Sequence, residues 1–364
     1  MKQAGQMGKR LRGMAKSLTL PLFAIALGFL IGGLVIACSG YNPFSAIWGI
    51  LAGGFGSGYY LSATLTRATP IIFAGLAAAL AWGSGYPSMG AAGQMAMGAL
   101  AAAITAIYCP GPATVVCIVS MAVGTIVGML VAFFSAYICD RFEMWLLIVT
   151  LMLNYVCENI CSYLTTYVVK DPQAVDASAI QTQRIEVGTL PRLFEGYSLH
   201  LGFVLAVLVV VGVALVMRRT SFGYKARMGG LNPHFADYGG ISSRKMMFLI
   251  MMLSGALAGL GGACEVLGTR YRYVDAMIAS PGYAWTGVIT TLMAGHDPIG
   301  VLFCSVFMAG ISTGGSAIER SMGLSADIVS IISGTITLLV TAKFTLNWKN
   351  CRKGSLRKGG QVRV

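Results

Sequence analysis

Charged residues are scarce in this 364-residue chain, at 11% of the sequence against 56% hydrophobic residues. Acidic side chains are the scarcer sign, with 13 Asp and Glu against 26 Lys and Arg, and there are only three histidines. So few charges cannot cover a soluble surface, and apolar runs of about 20 residues, the length of a membrane-spanning helix, recur along the chain. The alternating pattern of an outer-membrane barrel is missing. We therefore predict an all-α polytopic membrane protein in a cell membrane.

Motifs that would give the chain its own chemistry are missing too. No glycine-rich stretch is followed by the lysine of a Walker A loop, so we expect neither ATP hydrolysis nor any other enzymatic activity from this chain. The nine cysteines form no CxxC pair and mostly lie in apolar runs, where small buried residues are expected. We assign the chain no catalytic residue, metal or cofactor. The basic residues form no aromatic-interleaved patch of the kind that binds nucleic acid.

The apolar runs predict about ten membrane-spanning helices. Two of them, 69–82 and 283–296, are short for a complete crossing, so tilted, broken or re-entrant segments are expected there. The Gly-rich stretch 53–58 is interpreted as a flexible external connector. Glycine pairs four residues apart predict close helix contacts; they are Gly28/Gly32, Gly124/Gly128, Gly255/Gly259 and Gly310/Gly314. The ten predicted spans are 18–38, 69–82, 89–107, 113–138, 145–168, 199–217, 244–264, 283–296, 298–316 and 326–345.

The positions of Lys and Arg predict the orientation. With the N-terminus inside, residues 1–17, 139–144, 218–245 and 343–364 hold 5, 1, 6 and 7 of the 26 Lys and Arg, and such loops resist translocation. Both termini are therefore predicted to be cytoplasmic, and the net charge of +13 reflects topology and contact with anionic lipid. The predicted organisation is a basic tail (1–17), a transmembrane domain (18–345) with an external loop (170–198) and a cytoplasmic segment (218–243), and a second basic tail (346–364).

Polar residues inside the predicted spans are the candidates for a substrate path, because buried polarity is costly in a membrane. Glu158 is the only acid well inside a predicted span, and helical spacing puts it on one face with Thr150, Asn154 and Cys161. Its carboxylate could line a substrate path, form a structural hydrogen bond between helices or relay protons. The amides of Asn154, Asn159 and Gln94 are suited to binding sugar hydroxyls or nucleobase edges.

The cytoplasmic segment is a candidate docking site for a soluble partner. It reads RRTSFGYKARMGGLNPHFADYGGI from Arg218 to Ile241. Turn-forming residues in it favour a defined backbone over a solvated charged loop; they are Gly223, Gly229, Asn232, Pro233 and Gly240.

Three stretches resemble a known family, the transmembrane permease subunits of bacterial ABC importers for nucleosides and simple sugars, the ribose-permease-like group. They are 149–155 (VTLMLNY), 220–241 with its TSFG, LNP and GI elements, and the small-residue helix 253–262. With the 93–94 and 280–298 regions, the likeness covers most of residues 60–340. The chain departs from the family pattern at 88–94, where the usual asparagine and acid are replaced in SMGAAGQ.

The resemblance implies an ABC-importer permease fold and specific partners. These are a second permease subunit, identical or paralogous, cytoplasmic subunits that bind ATP and Mg, and an extracytoplasmic substrate-binding protein. It implies that Gly223, Arg227, Gly229, Asn232, Pro233 and Gly240 transmit ATPase movements. The substrate would be a nucleoside or a simple sugar, and the sequence leaves open which. An ion-coupled secondary transporter of a small polar solute is the alternative, and Glu158 would be its coupling acid.

Overall fold

The computed structural model describes residues 42–172 and 180–322, together with the single positions 33, 37 and 334. This part of the chain is mostly helical, and its only β-structure consists of three isolated bridges. The helices are α1 (Pro43–Phe55), α2 (Gly58–Gly83), α3 (Ala91–Tyr108), α4 (Ala113–Phe142), α5 (Leu146–Tyr167), α6 (Leu201–Arg219), α7 (Ser221–Leu231), α8 (Pro233–Tyr238), α9 (Ser243–Glu265), a π-helix (Val266–Arg270), α10 (Tyr283–Met293) and α11 (Pro298–Met322).

Seven of the described helices are long and apolar enough to cross a membrane: α2, α3, α4, α5, α6, α9 with its π-helical end, and α11. Eight predicted spans coincide with helices, including 283–296, where α10 has only 11 residues. Apart from the single positions 33, 37 and 334, the predicted spans 18–38 and 326–345 lie outside the described residues, as do the predicted tails 1–17 and 346–364. The count of ten and the cytoplasmic position of both termini therefore stay predictions.

Two sequence-based predictions in the first third of the chain are wrong. The span 69–82 is not short, because α2 begins at Gly58 and has 26 residues. Hydroxyl side chains interrupt its apolar pattern but bond back to their own helix, as Thr66 Oγ1 does to Ser62 O at 2.9 Å. Such back-bonding lets polar residues continue an apolar helix.

The stretch 53–58 is also not a flexible connector. Residues 53–55 end α1, which begins at Pro43 after the capping residue Asn42. A Cβ on Gly53 would lie 2.6 Å from Ala317 Cβ. Glycine is therefore present here for close helix packing and not for backbone freedom.

The chain divides into two compact units, residues 58–310 and a smaller one from 1–57 with 311–364. In the larger unit, α9 packs against α2, α3 and α4. A Cβ on Gly255 would lie 2.4 Å from Gly128 O, and one on Gly259 would lie 2.4 Å from Gly124 O. The predicted close contacts of these glycines are confirmed.

In the smaller unit, a Cβ on Gly314 would approach Ile50 O to 1.9 Å. The predicted contact face of the Gly310/Gly314 pair is therefore confirmed at Gly314. The pair Gly28/Gly32 lies outside the described residues.

A break between α9 and α10 shapes the candidate site. After the π-helix, residues 271–282 run without regular structure, with left-handed backbone at Tyr271 and Ala276. Tyr273 and Ile278 are nevertheless buried. Buried non-helical backbone needs hydrogen-bond partners, and the loop predicted to be external supplies them: Thr182 N–H donates to Tyr273 O at 2.9 Å and Ile185 N–H donates to Tyr271 O at 2.8 Å. We call residues 271–282 the re-entrant segment.

Candidate translocation path and coupling site

A cavity of about 140 Å³ lies between the middle of α5 and the re-entrant segment. Asn154, Tyr155 and Glu158 line it from α5, while Ala279 and Trp285 line it from the re-entrant segment and α10. The Tyr155 and Trp285 side chains are about half-exposed. The cavity thus combines a carboxylate, an amide and two aromatic rings, which are groups that can bind a polar solute with an apolar face.

Glu158 is partly exposed, and its carboxylate has no hydrogen bond or ion pair to any residue that the structure describes. A second acid lies close by, since Asp275 of the re-entrant segment accepts a hydrogen bond from Ser162 Oγ at 3.3 Å. Ser162 is one helical turn beyond Glu158, and the two carboxylates repel each other electrostatically. The face of α5 is therefore negatively charged and available to a hydrogen-bond donor.

Asn154 lines the same cavity, but its amide groups are already engaged. Its Oδ1 accepts from Gly93 N–H at 2.9 Å, and its Nδ2 donates to Met89 O at 2.8 Å. Thr150 Oγ1 accepts from Met89 N–H at 3.1 Å. Thr150 and Asn154 therefore hold the start of α3 in place, a structural contribution that the helical spacing alone did not indicate.

The other two predicted path residues lie away from the cavity lining. Gln94 is 1% exposed, and neither atom of its amide has a hydrogen-bond partner among the described residues. Asn159 is exposed and donates to its own helix, at 2.7 Å to Tyr155 O. The structure thus brings Asn154 and Glu158 together at one cavity and leaves Gln94 and Asn159 apart from it.

Sequence analysis missed the most deeply buried acid among the described residues of the larger unit. Glu265, the last residue of α9, is 1% exposed. Its Oε1 accepts from Tyr283 O–H at 3.2 Å and its Oε2 accepts from Thr269 O–H at 3.3 Å. Arg270 Nε is 3.7 Å from Oε1, and the positive charge of Arg67 also acts on the carboxylate. Glu265 therefore joins the two ends of the broken element.

His200 extends this network to the start of α6. The ring accepts from Gly202 N–H through Nδ1 at 3.1 Å, and Nε2 is 3.4 Å from Thr269 Oγ1. Since Thr269 donates to Glu265, Nε2 is the donating nitrogen of a neutral ring, and burial lowers the pKa of His200 to about 4. A Cβ on Gly268 would lie 2.7 Å from the ring.

We call Glu265, Thr269, Arg270, Tyr283 and His200 the Glu265 junction. The sequence could have revealed this junction only if the predicted span boundaries had been extended by one or two residues. Glu265 falls one residue beyond the predicted span 244–264, and Arg67 falls two residues before the predicted span 69–82, within the usual error of span boundaries.

The segment 218–243, predicted to be cytoplasmic, is folded into two short helices, α7 and α8, joined by capping residues. Thr220 caps α7 and Asn232 caps α8, where Asn232 Oδ1 accepts from Phe235 N–H at 3.1 Å. Position 233 is the first residue of α8, and Gly240 takes a left-handed backbone conformation beyond its end. The predicted defined backbone of this segment is confirmed.

Gly223 and Arg227 attach α7 to the end of α6. A Cβ on Gly223 would lie 2.3 Å from Met217 O. Arg227 Nη2 donates to that same carbonyl at 2.6 Å, and Arg227 Nε donates to Gly223 O at 3.2 Å. A cation on the free carbonyls of a helix C-terminus is stabilising, so α6 and α7 form one mechanical unit.

Gly229 and Gly230 place α7 on the turn that follows α2. A Cβ on Gly229 would lie 3.2 Å from the Tyr86 hydroxyl, whereas one on Gly230 would lie only 1.6 Å from Ser84 O. Gly85 in that turn has a positive φ of 81°. Gly230, which the sequence analysis did not single out, therefore carries the tightest contact of the segment.

The outer face of the segment is apolar as well as basic. Four large side chains are mostly exposed: Tyr224 (59%), Leu231 (79%), Phe235 (59%) and Tyr238 (94%). Arg218 pairs with Asp297 and Arg244 pairs with Asp140, which ties both flanks of the segment to neighbouring elements. An exposed surface with several large apolar and aromatic side chains is typical of a protein interface.

These features define a polytopic helical protein with a broken, cavity-lining element and a structured segment between α6 and α9. The chain belongs to the family described as the branched-chain amino acid transport system / permease component, whose model matches residues 60–341. It is accordingly a permease subunit of an ABC transporter and an integral membrane protein. No solved structure matches the chain.

Relatives with assigned roles match almost the whole chain. The guanosine ABC transporter permease protein NupP of Bacillus subtilis is 30% identical over 346 residues, covering 94% of this chain and 97% of its own length. The nucleoside ABC transporter permease protein NupB of Lactococcus lactis is 27% identical, covering 91% and 92%. The glucose ABC transporter permease protein TsgB13 of Haloferax volcanii is 28% identical, covering 89% and 87%.

Proposed function

We propose that the chain forms the membrane path of an importer for a nucleoside or a simple sugar, with α5 and the re-entrant segment as one wall of that path. The observation that carries this proposal is the unpartnered Glu158 carboxylate in a cavity at the middle of α5. A carboxylate at that depth must face water, substrate or another protein chain, because exposure to lipid is costly. The guanosine, nucleoside and glucose relatives support the substrate class.

The partners follow from surfaces that this chain leaves open. The Tyr155, Asn159 and Tyr163 side chains on α5 are exposed, and a polar face in the membrane calls for protein or water beside it. A second permease subunit, identical or paralogous, would cover this face and enclose the path. Both termini lie in the cytoplasm in this arrangement, and an extracytoplasmic binding protein delivers the substrate.

The segment from α7 to α8 receives the ATP-binding subunits in this proposal. Its exposed apolar residues dock on the partner, while Gly230 transmits movement to the turn after α2, and Gly223 and Arg227 transmit it to α6. ATP and Mg are bound by those partner subunits, and this chain contributes only the mechanical contact.

Transport with an inactive ATPase tests the importer. Labelled guanosine, adenosine and ribose would be offered to proteoliposomes holding the permease, its ATPase and its binding protein. Uptake should require ATP and stop with an ATPase-dead partner. Uptake driven by a proton or sodium gradient alone would establish the secondary transporter instead.

The docking surface has its own test. The double variant Leu231→Asp/Tyr238→Asp should lose co-purification of the ATPase while inserting normally, because both side chains are exposed and buried charge at an interface is unfavourable. Phe194→Asp, at an exposed residue of the external loop, is the matched control and should keep the ATPase bound. Retention of the ATPase by the double variant would contradict the docking assignment.

Arg227→Glu and Gly230→Leu test transmission. Both should leave ATP hydrolysis active and reduce its coupling to uptake. Gly212→Leu is the control, since a Cβ at Gly212 in α6 would meet no atom within 4 Å. Normal uptake by both variants would show that the segment is not the coupling element.

A further inference from the structure

We propose that the cavity between α5 and the re-entrant segment recognises the cis-diol of its substrate, with Glu158 accepting hydrogen bonds from two vicinal hydroxyl groups and Trp285 stacking on the ring system. This inference rests on the proposed function and adds to it the chemical group by which the path selects its solute.

The free state of the Glu158 carboxylate is the first support. No described residue donates a hydrogen bond to it, although Asn154 in the same cavity has both of its amide groups engaged. Each carboxylate oxygen can accept from one hydroxyl, so two adjacent hydroxyl groups match the group in number and spacing. Proteins use an acidic side chain in this way to bind ribose hydroxyls in dinucleotide sites.

The surrounding charge is the second support. Among the described residues, the charged side chain that a hydrogen bond joins to this face of α5 is Asp275, which is bound to Ser162. Both groups are acids, so the face offers acceptors and no cationic donor to an anionic solute. A phosphorylated sugar would be repelled, whereas a neutral polyol would supply the missing donors.

The aromatic residues are the third support. Trp285 and Tyr155 line the cavity from opposite elements and are 52% and 58% exposed. An exposed ring inside a path can stack on a nucleobase or on the apolar face of a sugar. The chemistry shared by ribonucleosides and ribose here is a cis-diol next to a flat apolar surface.

The test compares substrates that differ by one hydroxyl group. ATP-driven uptake of guanosine, 2′-deoxyguanosine, ribose and 2-deoxyribose would be measured in the assembled transporter for the unmodified chain and for Glu158→Gln. The guanosine and ribose pairs identify the source of the diol. Glu195→Gln, the same substitution at an exposed loop residue, is the matched control.

We expect Glu158→Gln to lower the preference for the diol over the deoxy compound by about tenfold or more, the usual effect of losing a hydrogen bond to a charged group. Glu195→Gln should leave the preference unchanged. The binding protein contributes equally to every measurement, so a changed ratio belongs to the permease. An unchanged ratio in Glu158→Gln would overturn the inference.

A second measurement applies if Glu158→Gln transports neither compound. Ala279→Cys, in the cavity wall and exposed, would be labelled with a maleimide and the modified peptide quantified by mass spectrometry. Guanosine should slow labelling at position 279, and 2′-deoxyguanosine should not. Equal protection by both, or protection by neither, would overturn diol recognition. The proposed importer itself fails only if uptake by the unmodified chain persists with the ATPase-dead partner.

Discussion

The two carboxylates on either side of the re-entrant segment have opposite surroundings. Glu265 is fully buried and accepts hydrogen bonds from Tyr283 and Thr269, whereas Glu158 is partly exposed and has no hydrogen-bonding partner among the described residues. A buried acid with donors from two elements holds backbone in place. An acid without donors is available to a ligand. The break between α9 and α10 is thus held at the Glu265 junction and borders the cavity near Glu158. We call the junction the fixed end and the cavity side the open end.

The geometry of the cavity at the open end therefore depends on the Glu265 junction at the fixed end. Tyr283 begins α10, and Trp285, two residues later, lines the cavity. The Glu265 junction therefore sets where that indole lies relative to Glu158. We expect substitutions at the junction to act first on stability and only through it on transport, and substitutions at the cavity to act on transport directly.

Removal of the Glu265 carboxylate should have the largest effect. Glu265→Ala leaves the donors Tyr283 and Thr269 and the cation Arg270 without their acceptor, and loss of one partner of a buried charged group costs about 3–5 kcal/mol. Arg270 is half-exposed, so solvent screening reduces the contribution of its ion pair with Glu265 to this free energy. Thermal unfolding in lipid nanodiscs would measure the loss. Glu265→Gln should be milder, and equal stability of Glu265→Ala and the unmodified chain would contradict a fixed junction.

Crowding of the junction should have a smaller effect. In Gly268→Ala, the new methyl group would lie 2.7 Å from the His200 ring, and overpacking of this kind costs about 1–3 kcal/mol. Gly212→Ala is the matched control, with no atom within 4 Å of its Cβ, and should be neutral or slightly stabilising. Equal unfolding temperatures for the two variants would show that the slot around His200 is not tight.

Loosening the re-entrant segment beside the cavity should reduce stability less than the substitutions at Glu265 and Gly268. Ser162→Ala removes the one side-chain hydrogen bond that the structure gives to Asp275, at about 1 kcal/mol for a partly exposed bond. Cysteine accessibility at Ala279→Cys should increase in this background, because the re-entrant segment is then less restrained. Ser321→Ala, whose hydroxyl bonds only to its own helix through Ile318 O, is the control and should leave that accessibility unchanged.

The sequence predicted most of this architecture because apolar periodicity and length determine helices in a membrane. It also predicted that the paired glycines of α4 and α9 make close helix contacts. It predicted as well that the segment 218–243 has a defined, turn-rich backbone. It missed α1, whose 13 residues are too few for a membrane span, and the first half of α2, where Gly, Ser and Thr lower the apparent hydrophobicity although packing favours a helix. Hydrophobicity averaged over a sequence window cannot detect helix packing contacts, because these depend on which distant helix supplies the facing surface.

The candidate site was predicted only in part, for a related reason. Helical spacing put Thr150, Asn154 and Glu158 on one face, but it could not show that Met89 and Gly93 occupy the amide of Asn154. The residues that face α5 from beyond the break were not predictable, because the irregular backbone of 271–282 positions both Asp275 and the start of α10 with Trp285. Gly230 was overlooked beside Gly229, since the sequence does not reveal which of two adjacent glycines faces Ser84.

Substitution of Glu158 itself should have the smallest effect on stability. This variant distinguishes the open end from the fixed end most clearly. Glu158→Gln removes a charge that no described residue pairs with, so its unfolding temperature should match that of the unmodified chain, within the roughly 0.5 kcal/mol typical of substitutions away from structural contacts. Uptake should nevertheless fall. A variant as stable as the unmodified chain but defective in uptake assigns Glu158 to the path. A destabilised variant with normal uptake would instead make Glu158 a structural acid like Glu265, and the open end would then have to be sought elsewhere on α5.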